Sequence, residues 1–132
     1  MLNLLQKFTP QFFLRLGLGA MFVYSGSDIL LHPTGWIWAI RGLPVAFQNA
    51  INAVGVVNYL RVQGAGELLL AAAFLGWFLP FWTVRSAALL AAIEMAGILL
   101  FVGVDAQTFR DIGLFGAAMA LWILPGNKTT GL

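Results

Sequence analysis

Four long apolar stretches dominate the pattern of hydrophobic and polar positions. They cover about residues 11–31, 63–82, 86–104 and 109–125. A hydrocarbon core about 30 Å thick is crossed by about 20 helical residues. Because lipid offers the backbone no hydrogen-bond partner, each stretch is expected to be helical. The pattern therefore predicts an all-α fold, an integral membrane four-helix bundle that forms a single membrane domain over residues 1–132.

The segment 44–60 follows a different pattern. Pro44 suits the first turn of a helix. The 3–4 spacing separates an apolar face from a polar one; the apolar face holds Phe47, Ile51 and Val54, and the polar face holds Gln48, Asn49 and Asn52. We interpret the segment as an interfacial amphipathic helix between helices 1 and 2, at the mouth of the bundle. The alternative is a short fifth span, which would move the C-terminus to the other side of the membrane.

Composition strengthens the membrane interpretation and excludes several kinds of chemistry. Hydrophobic residues make up 61% of the 132 residues and charged residues 9%, whereas soluble domains carry about 25% charged residues. The Lys and Arg residues are dispersed, which argues against nucleic acid as a partner. The absence of cysteine excludes thiolate chemistry and Cys-ligated metal centres, and the single histidine excludes a bis-His haem within one chain. We expect no intrinsic cofactor and no metal site.

The positions of the basic residues predict the orientation of the spans. With four spans, Lys7, Arg15, Arg85 and Lys128 share one side, and Arg41, Arg61 and Arg110 share the other. Since cytoplasmic ends carry the excess of Lys and Arg, this slight bias places both termini in the cytoplasm. The first apolar run is too long for a signal peptide and lacks a small-x-small cleavage site, so we expect it to be retained. The expected location is the plasma (inner) membrane, with multiple spans.

Most of the ionisable residues converge on one end of the predicted bundle. This outer layer comprises Asp28, His32, Arg61, Glu67, Asp105, Arg110 and Asp111. Ionisable groups within spans are costly and usually face the bundle interior. We expect Arg110 to form a bidentate pair with Glu67 or Asp28. Such a layer serves either to hold the helices together or to hold a ligand, while His32, beside Pro33, is interpreted as a loop residue and not a metal ligand.

Two more ionisable residues lie away from that layer. Glu94 falls near the middle of the third span among small and apolar residues, so we expect it to be protonated or to have a hydrogen-bonded partner. It is interpreted either as a proton-carrying or ligand-binding acid or as a structural contact to a neighbouring helix. Arg15 lies near the cytoplasmic end of the first span, where its side chain is expected to snorkel to the headgroups.

Small residues and helix caps complete the structural expectations. Arg110, Gly113, Ala117 and Ala120 share one face of the fourth helix by 3–4–3 spacing. This face and Gly64 in the second helix predict close helix–helix contact, and such faces make a homo-oligomer plausible. Thr108 followed by Asp111 is a capping-box pattern that predicts the start of the fourth helix.

Three segments of the chain resemble the DoxX family of small bacterial and archaeal membrane proteins. They read LRLGLGAMFVYSGSDIL, GAGELLLAAAFLG and FRDIGLFGAAMALWI. The resemblance implies a four-helix membrane fold, and the matching positions are Arg15, Gly19, Gly26, Gly64, Glu67, Arg110 and Asp111. Several family members are linked to membrane redox complexes, including quinone-reducing thiosulfate oxidation. Asp28 departs from the family pattern, which often shows a lysine at this position.

These observations leave three classes of function open, and the sequence does not decide whether the protein is an enzyme. The first is a subunit of a membrane redox complex that binds quinone or a small lipophilic ligand near the outer face, with Glu67, Asp28 and Arg110 as polar contacts and a membrane or soluble redox partner. The second is a non-enzymatic scaffold or assembly module. The third is a small proton-coupled transporter that uses Glu94 and Glu67 as acids. No phosphate-binding, dinucleotide-binding or zinc motif is present.

Overall fold

The computed structural model describes residues 9–104 and 108–124, and within them every regular element is a helix. The α-helices are α1 (Pro10–Leu31), α2 (Trp38–Arg41), α3 (Val45–Val54), α4 (Val56–Leu75), α5 (Phe81–Phe101) and α6 (Arg110–Ile123), with a 3-10 turn at Pro33–Trp36. The all-α prediction is therefore confirmed for the described part of the chain.

Local signals explain where two of the long helices begin. Pro10 occupies the first turn of α1, and the Thr9 side chain accepts a hydrogen bond from the Phe12 amide (3.4 Å), which is a typical helix start. Pro80 is the N-cap of α5, with an extended backbone, so this helix begins before the predicted residue 86. Helix α6 lies within the predicted range 109–125.

The segment predicted as one interfacial helix, 44–60, is instead divided at Gly55. Gly55 has φ +102°, a backbone conformation that favours glycine over residues with a side chain. Its amide donates to the Ile51 carbonyl (2.8 Å) and closes α3. The following helix α4 begins at Val56 and ends at Leu75, so it starts and stops well before the predicted limits 63 and 82. The apolar pattern continues through Gly55, which is why hydropathy alone did not reveal the break.

Helix α1 packs against α4 so closely that their backbones nearly touch. A Cβ atom built on Gly26 would lie 2.9 Å from the Gly64 carbonyl oxygen, and one built on Gly64 would lie 3.0 Å from the Gly26 carbonyl oxygen. Towards the other end of this pair, the rings of Phe22 and Phe74 stack with centroids 6.0 Å apart. Small residues at the crossing thus permit contact that any larger side chain would prevent.

Helices α5 and α6 form the second close pair, and the main core lies between the two pairs. Its buried members are Leu18, Phe22, Ala71, Phe74, Val84, Ala87, Ala88, Ala91, Ala92, Met95, Ala118 and Leu121. A smaller buried cluster of Ile29, Ile40, Ile51 and Leu60 attaches α2 and α3 to α1 and α4. The connection between α1 and α4 therefore covers one end of the bundle.

Large apolar side chains also cover much of the outer surface. Phe78 is 90% exposed, Leu100 79% and Leu31 75%. Two helices of the described part, Pro10–Leu31 and Phe81–Phe101, are long and apolar enough to cross a membrane.

The contact between Gly26 and Gly64 predicts a site-specific sensitivity to side-chain size. Gly26→Leu is expected to lower the free energy of unfolding by about 2 kcal/mol, as overpacking of close contacts does. Gly17→Leu is the matched control, because a Cβ at Gly17 of the same helix meets no atom within 4 Å. Denaturant unfolding in detergent micelles, followed by circular dichroism, measures both. Equal stability of the two variants would contradict the close approach of α1 and α4.

Candidate functional site

A cavity of about 770 Å³ lies at the end of the bundle that the connection covers. We call it the polar cavity, and its polar lining consists of Tyr24, Ser25, Asp28, Gln63, Glu67, Glu94, Arg110 and Asp111. Helices α1, α4, α5 and α6 each contribute to this wall. The fold therefore brings Asp28, Glu67, Glu94, Arg110 and Asp111, which are distant in the sequence, to one space.

Glu67 is held against α1 by a hydrogen bond from a serine. Its side chain is 5% exposed, and the Ser25 hydroxyl donates to its Oε2. Ser25 precedes Gly26, and Glu67 lies one helical turn after Gly64, so the glycine crossing brings the two polar groups together. Sequence analysis missed Ser25; the signal for it was the pairing of Ser-Gly in helix 1 with Gly-x-x-Glu in helix 2.

Asp28 finds its partners in the connection that follows its own helix. The Trp36 indole donates to Oδ2 of Asp28 (2.8 Å), and the exposed His32 places Nδ1 3.3 Å from Oδ1. Both contacts are local in sequence, so ordering the connection costs little loop entropy. Asp28 therefore ties the 3-10 turn to the end of α1.

The ion pair predicted between Arg110 and either Glu67 or Asp28 is not formed within residues 9–104 and 108–124, where His32–Asp28 is the ion pair found. Ser25 and Trp36 take the places that the arginine was expected to fill. Arg110 nevertheless lines the same cavity as both carboxylates. The convergence of Asp28, Glu67, Arg110 and Asp111 was thus predicted, but their pairing was not. Glu94 was predicted to lie away from these residues, whereas it lines the same cavity.

Glu94 differs from the other two carboxylates because one of its oxygens has no partner. It lies on α5 and faces Glu67 and Gln63 across the cavity wall. Its Oε1 atom is buried and forms no hydrogen bond within the described part of the chain. A buried polar atom left unpaired costs about 1–3 kcal/mol. Glu94 therefore has hydrogen-bonding capacity left for a ligand.

Arg15 does not snorkel to the surface as predicted; it points into the bundle. It is 2% exposed, and it donates from Nε to the Phe74 carbonyl (2.7 Å) and from Nη2 to the Gly76 carbonyl (2.8 Å). Its guanidinium also lies 4.4 Å from the centroid of the Trp77 ring. The last carbonyls of a helix lack partners within the helix, so the arginine supplies them for α4. Since Arg15 is about 15 Å along α1 from Ser25, it does not belong to the polar cavity.

The start of α6 also departs from prediction. The helix begins at Arg110 with Phe109 as its N-cap, and the Thr108 hydroxyl donates to the Gly103 carbonyl (2.5 Å). Thr108 therefore ties the preceding connection in place, and the capping box does not start the helix at the predicted residue. Asp111 lies in the first turn, as the pattern suggested, while Asp105 lies outside the described residues.

The close helix contact expected at Gly113 is also absent from the described part, since a Cβ there would meet no atom within 4 Å. Gly113 instead lines the polar cavity. Within residues 9–104 and 108–124, no group of three or more acidic and histidine side chains is arranged to hold a metal ion.

Comparison with protein-family models, with curated proteins and with solved structures finds no match to this chain. The resemblance to the DoxX family stays a prediction.

The contacts of Arg15 predict a large and specific effect on stability. Arg15→Gln is expected to lower the free energy of unfolding by about 3 kcal/mol, because two hydrogen bonds to a charged donor are lost in a buried site. The stability of Arg15→Lys should fall between that of the unmodified protein and that of Arg15→Gln, since lysine keeps the charge but not the forked donor geometry. Denaturant unfolding in detergent micelles provides the measurement.

The matched control for this prediction is Arg85→Gln. Arg85 donates to the Trp122 carbonyl (3.0 Å) at the end of α6 but is exposed, so the expected loss is about 1 kcal/mol or less. Similar losses for Arg15→Gln and Arg85→Gln would show that burial adds nothing to the interaction.

Proposed function

We propose that the protein is a DoxX-like multi-pass protein of the plasma membrane and a subunit of a membrane redox complex. In this proposal four helices cross the bilayer, both termini are cytoplasmic, and the polar cavity lies towards the outer face and binds quinone or a similar small lipophilic ligand. The observation that carries the proposal is the polar cavity itself, which lies in a bundle with an apolar surface and is lined by Glu94, one of whose carboxyl oxygens has no partner within the described residues.

The distribution of exposed side chains supports the membrane location. Leu31, Leu69 and Leu100, on three different helices, are all more than 70% exposed. Many large apolar side chains exposed in this way are unfavourable in water and suit hydrocarbon. Besides the two apolar helices, α4 has 20 residues, which corresponds to about 30 Å of helix.

The size and lining of the polar cavity support a small ligand. Its volume of about 770 Å³ falls within the range of about 300–1,000 Å³ typical of small-molecule sites. The rings of Trp36 and Trp38 stack at its wall with centroids 5.7 Å apart, offering apolar surface to a planar ring. The Gln63 amide and a protonated Glu94 provide donors for carbonyl oxygens of the kind a quinone presents.

A redox role requires a source of electrons outside this chain's own side chains. The chain has no cysteine and one histidine, so we assign the electron supply to a membrane or soluble partner protein. The part proposed for this chain is to bind the ligand, orient it and keep it apart from water.

A second candidate function is a scaffold or assembly module without a ligand. It is favoured by the partners that two of the carboxylates already have, since Ser25 holds Glu67 and Trp36 holds Asp28. In that case the polar groups join the helices and do no more.

The two candidates differ in what happens when Glu94 is changed. Purification in native lipid, followed by mass spectrometry of the extract, is expected to find quinone bound to the unmodified protein. Glu94→Leu should lower the retained amount about tenfold, because losing one hydrogen bond of about 1.4 kcal/mol changes binding by that factor. Ser86→Ala is the control, since it removes a polar group from the same helix at an exposed position outside the cavity.

Circular dichroism should show both variants folded. Absence of quinone from the unmodified protein, or equal retention by the Glu94→Leu and Ser86→Ala variants, would favour the scaffold.

A further inference from the structure

A second cavity, of about 480 Å³, lies beside the polar cavity. It runs between α3 with the connection on one side and α5 on the other, and we call it the apolar groove. Its lining is almost wholly apolar and includes Ile40, Phe47, Ile51, Ile93, Gly97 and Phe101. An apolar space of this kind has no evident role in holding a polar head group.

The apolar groove and the polar cavity meet along one part of their walls. Ala39, Gln63, Glu94 and Ile98 line both. The two polar members of this shared wall are Gln63 and Glu94, and Oε1 of Glu94 is the buried atom without a partner in the described part of the chain. A hydrogen-bonding position therefore lies on the wall where an apolar space borders a polar one.

The outer side of the groove carries apolar side chains exposed beyond the bundle. On α3, Val45 is exposed, as are Phe47 and Val54, and on α5 Ile93 and Phe101 are exposed. If the bundle lies in a bilayer, as proposed above, these side chains face hydrocarbon, so the groove opens towards lipid. A molecule dissolved in the membrane can then reach Glu94 without passing through water.

We propose that the ligand is a quinone with a hydrocarbon tail. Its ring occupies the polar cavity beside Gln63 and Glu94, and its tail lies in the apolar groove between α3 and α5. The molecule enters from the bilayer through this groove. This inference rests on the proposed function and adds to it the hydrocarbon tail of the ligand, the place of that tail and the route of entry. Because the groove borders the polar cavity along four shared residues, we assign it to the tail of the same molecule.

Gly97 offers a direct test, because a Cβ there meets no atom within 4 Å and the residue lines the groove but not the polar cavity. Gly97→Leu would place a side chain in the space assigned to the tail. Gly17→Leu is the matched control, since it makes the same change at a helical glycine that also has open space and lies outside both cavities. Ala50→Phe fills the groove from the α3 side and serves as the second variant if Gly97→Leu does not fold.

The probes are decylubiquinone and its parent without a tail, 2,3-dimethoxy-5-methyl-1,4-benzoquinone, added to the full chain in nanodiscs at a fixed lipid content. Quenching of tryptophan fluorescence reports binding, because Trp36 and Trp38 line the polar cavity. We expect the decyl compound to bind the unmodified protein at least tenfold more tightly. Gly97→Leu should weaken the decyl compound about tenfold and leave the parent unchanged, while Gly17→Leu should change neither.

The outcomes separate this inference from the proposed function. If both probes bind and the groove variants affect neither, or weaken both equally, the tail site is overturned while ligand binding in the polar cavity stands. If neither probe binds the unmodified protein, the proposed function fails and the tail site fails with it. Selective loss of the decyl compound in the Gly97→Leu or Ala50→Phe variant supports both.

Discussion

The contact between Gly26 of α1 and Gly64 of α4 is the constraint from which the rest of the structure follows. A Cβ on either glycine would lie within about 3 Å of the other's carbonyl oxygen, so the helices can cross here only because both residues lack a side chain. At this separation Ser25 reaches Glu67. Further along the same pair, the position of α4 brings its final carbonyls to Arg15. The close approach of the two backbones therefore aligns Ser25 with Glu67 at one end of the helix pair and Arg15 with the last carbonyls of α4 at the other end.

The polar cavity results from how the remaining elements meet this helix pair. Helices α5 and α6 bring Glu94, Arg110 and Asp111 to the end at which the connection turns back over the bundle. The carboxylates there differ in whether their oxygens already have hydrogen-bond partners, and this difference decides which of them can bind a ligand. Asp28 is held by the connection and Glu67 by α1, while one oxygen of Glu94 has no partner in the described residues. Buried polar atoms are nearly always paired, so Glu94 marks the place where something else is expected to bind.

Sequence reasoning succeeded where a signal is local or follows from topology. The long apolar runs predicted helices, and the order of those helices predicted that Asp28, Glu67, Arg110 and Asp111 would lie at one end, where they line one cavity. It failed where a single residue interrupts a continuous pattern, as Gly55 does with its positive φ. It also failed for the direction of Arg15, because the local sequence is compatible with either a snorkelling or a buried side chain. Which of the two occurs depends on the acceptors that the neighbouring helix provides. The carbonyl oxygens that Arg15 reaches belong to residues about sixty positions away.

The sequence by itself determined that the chain is all-helical and apolar, that it has no cysteine for thiolate or Cys-ligated metal chemistry, and that Asp28, Glu67, Arg110 and Asp111 lie at one end. These conclusions depend on composition and periodicity, which act along the chain. Only the tertiary structure decided which carboxylate is paired with which donor, and that Gly113 and Gly97 face open space while Gly64 is in close contact. It alone shows that an apolar groove lies beside the polar cavity, with Gln63 and Glu94 lining both. The reason is physical: pairing and cavity shape depend on distances between helices, and those distances are set by packing at the glycine crossing.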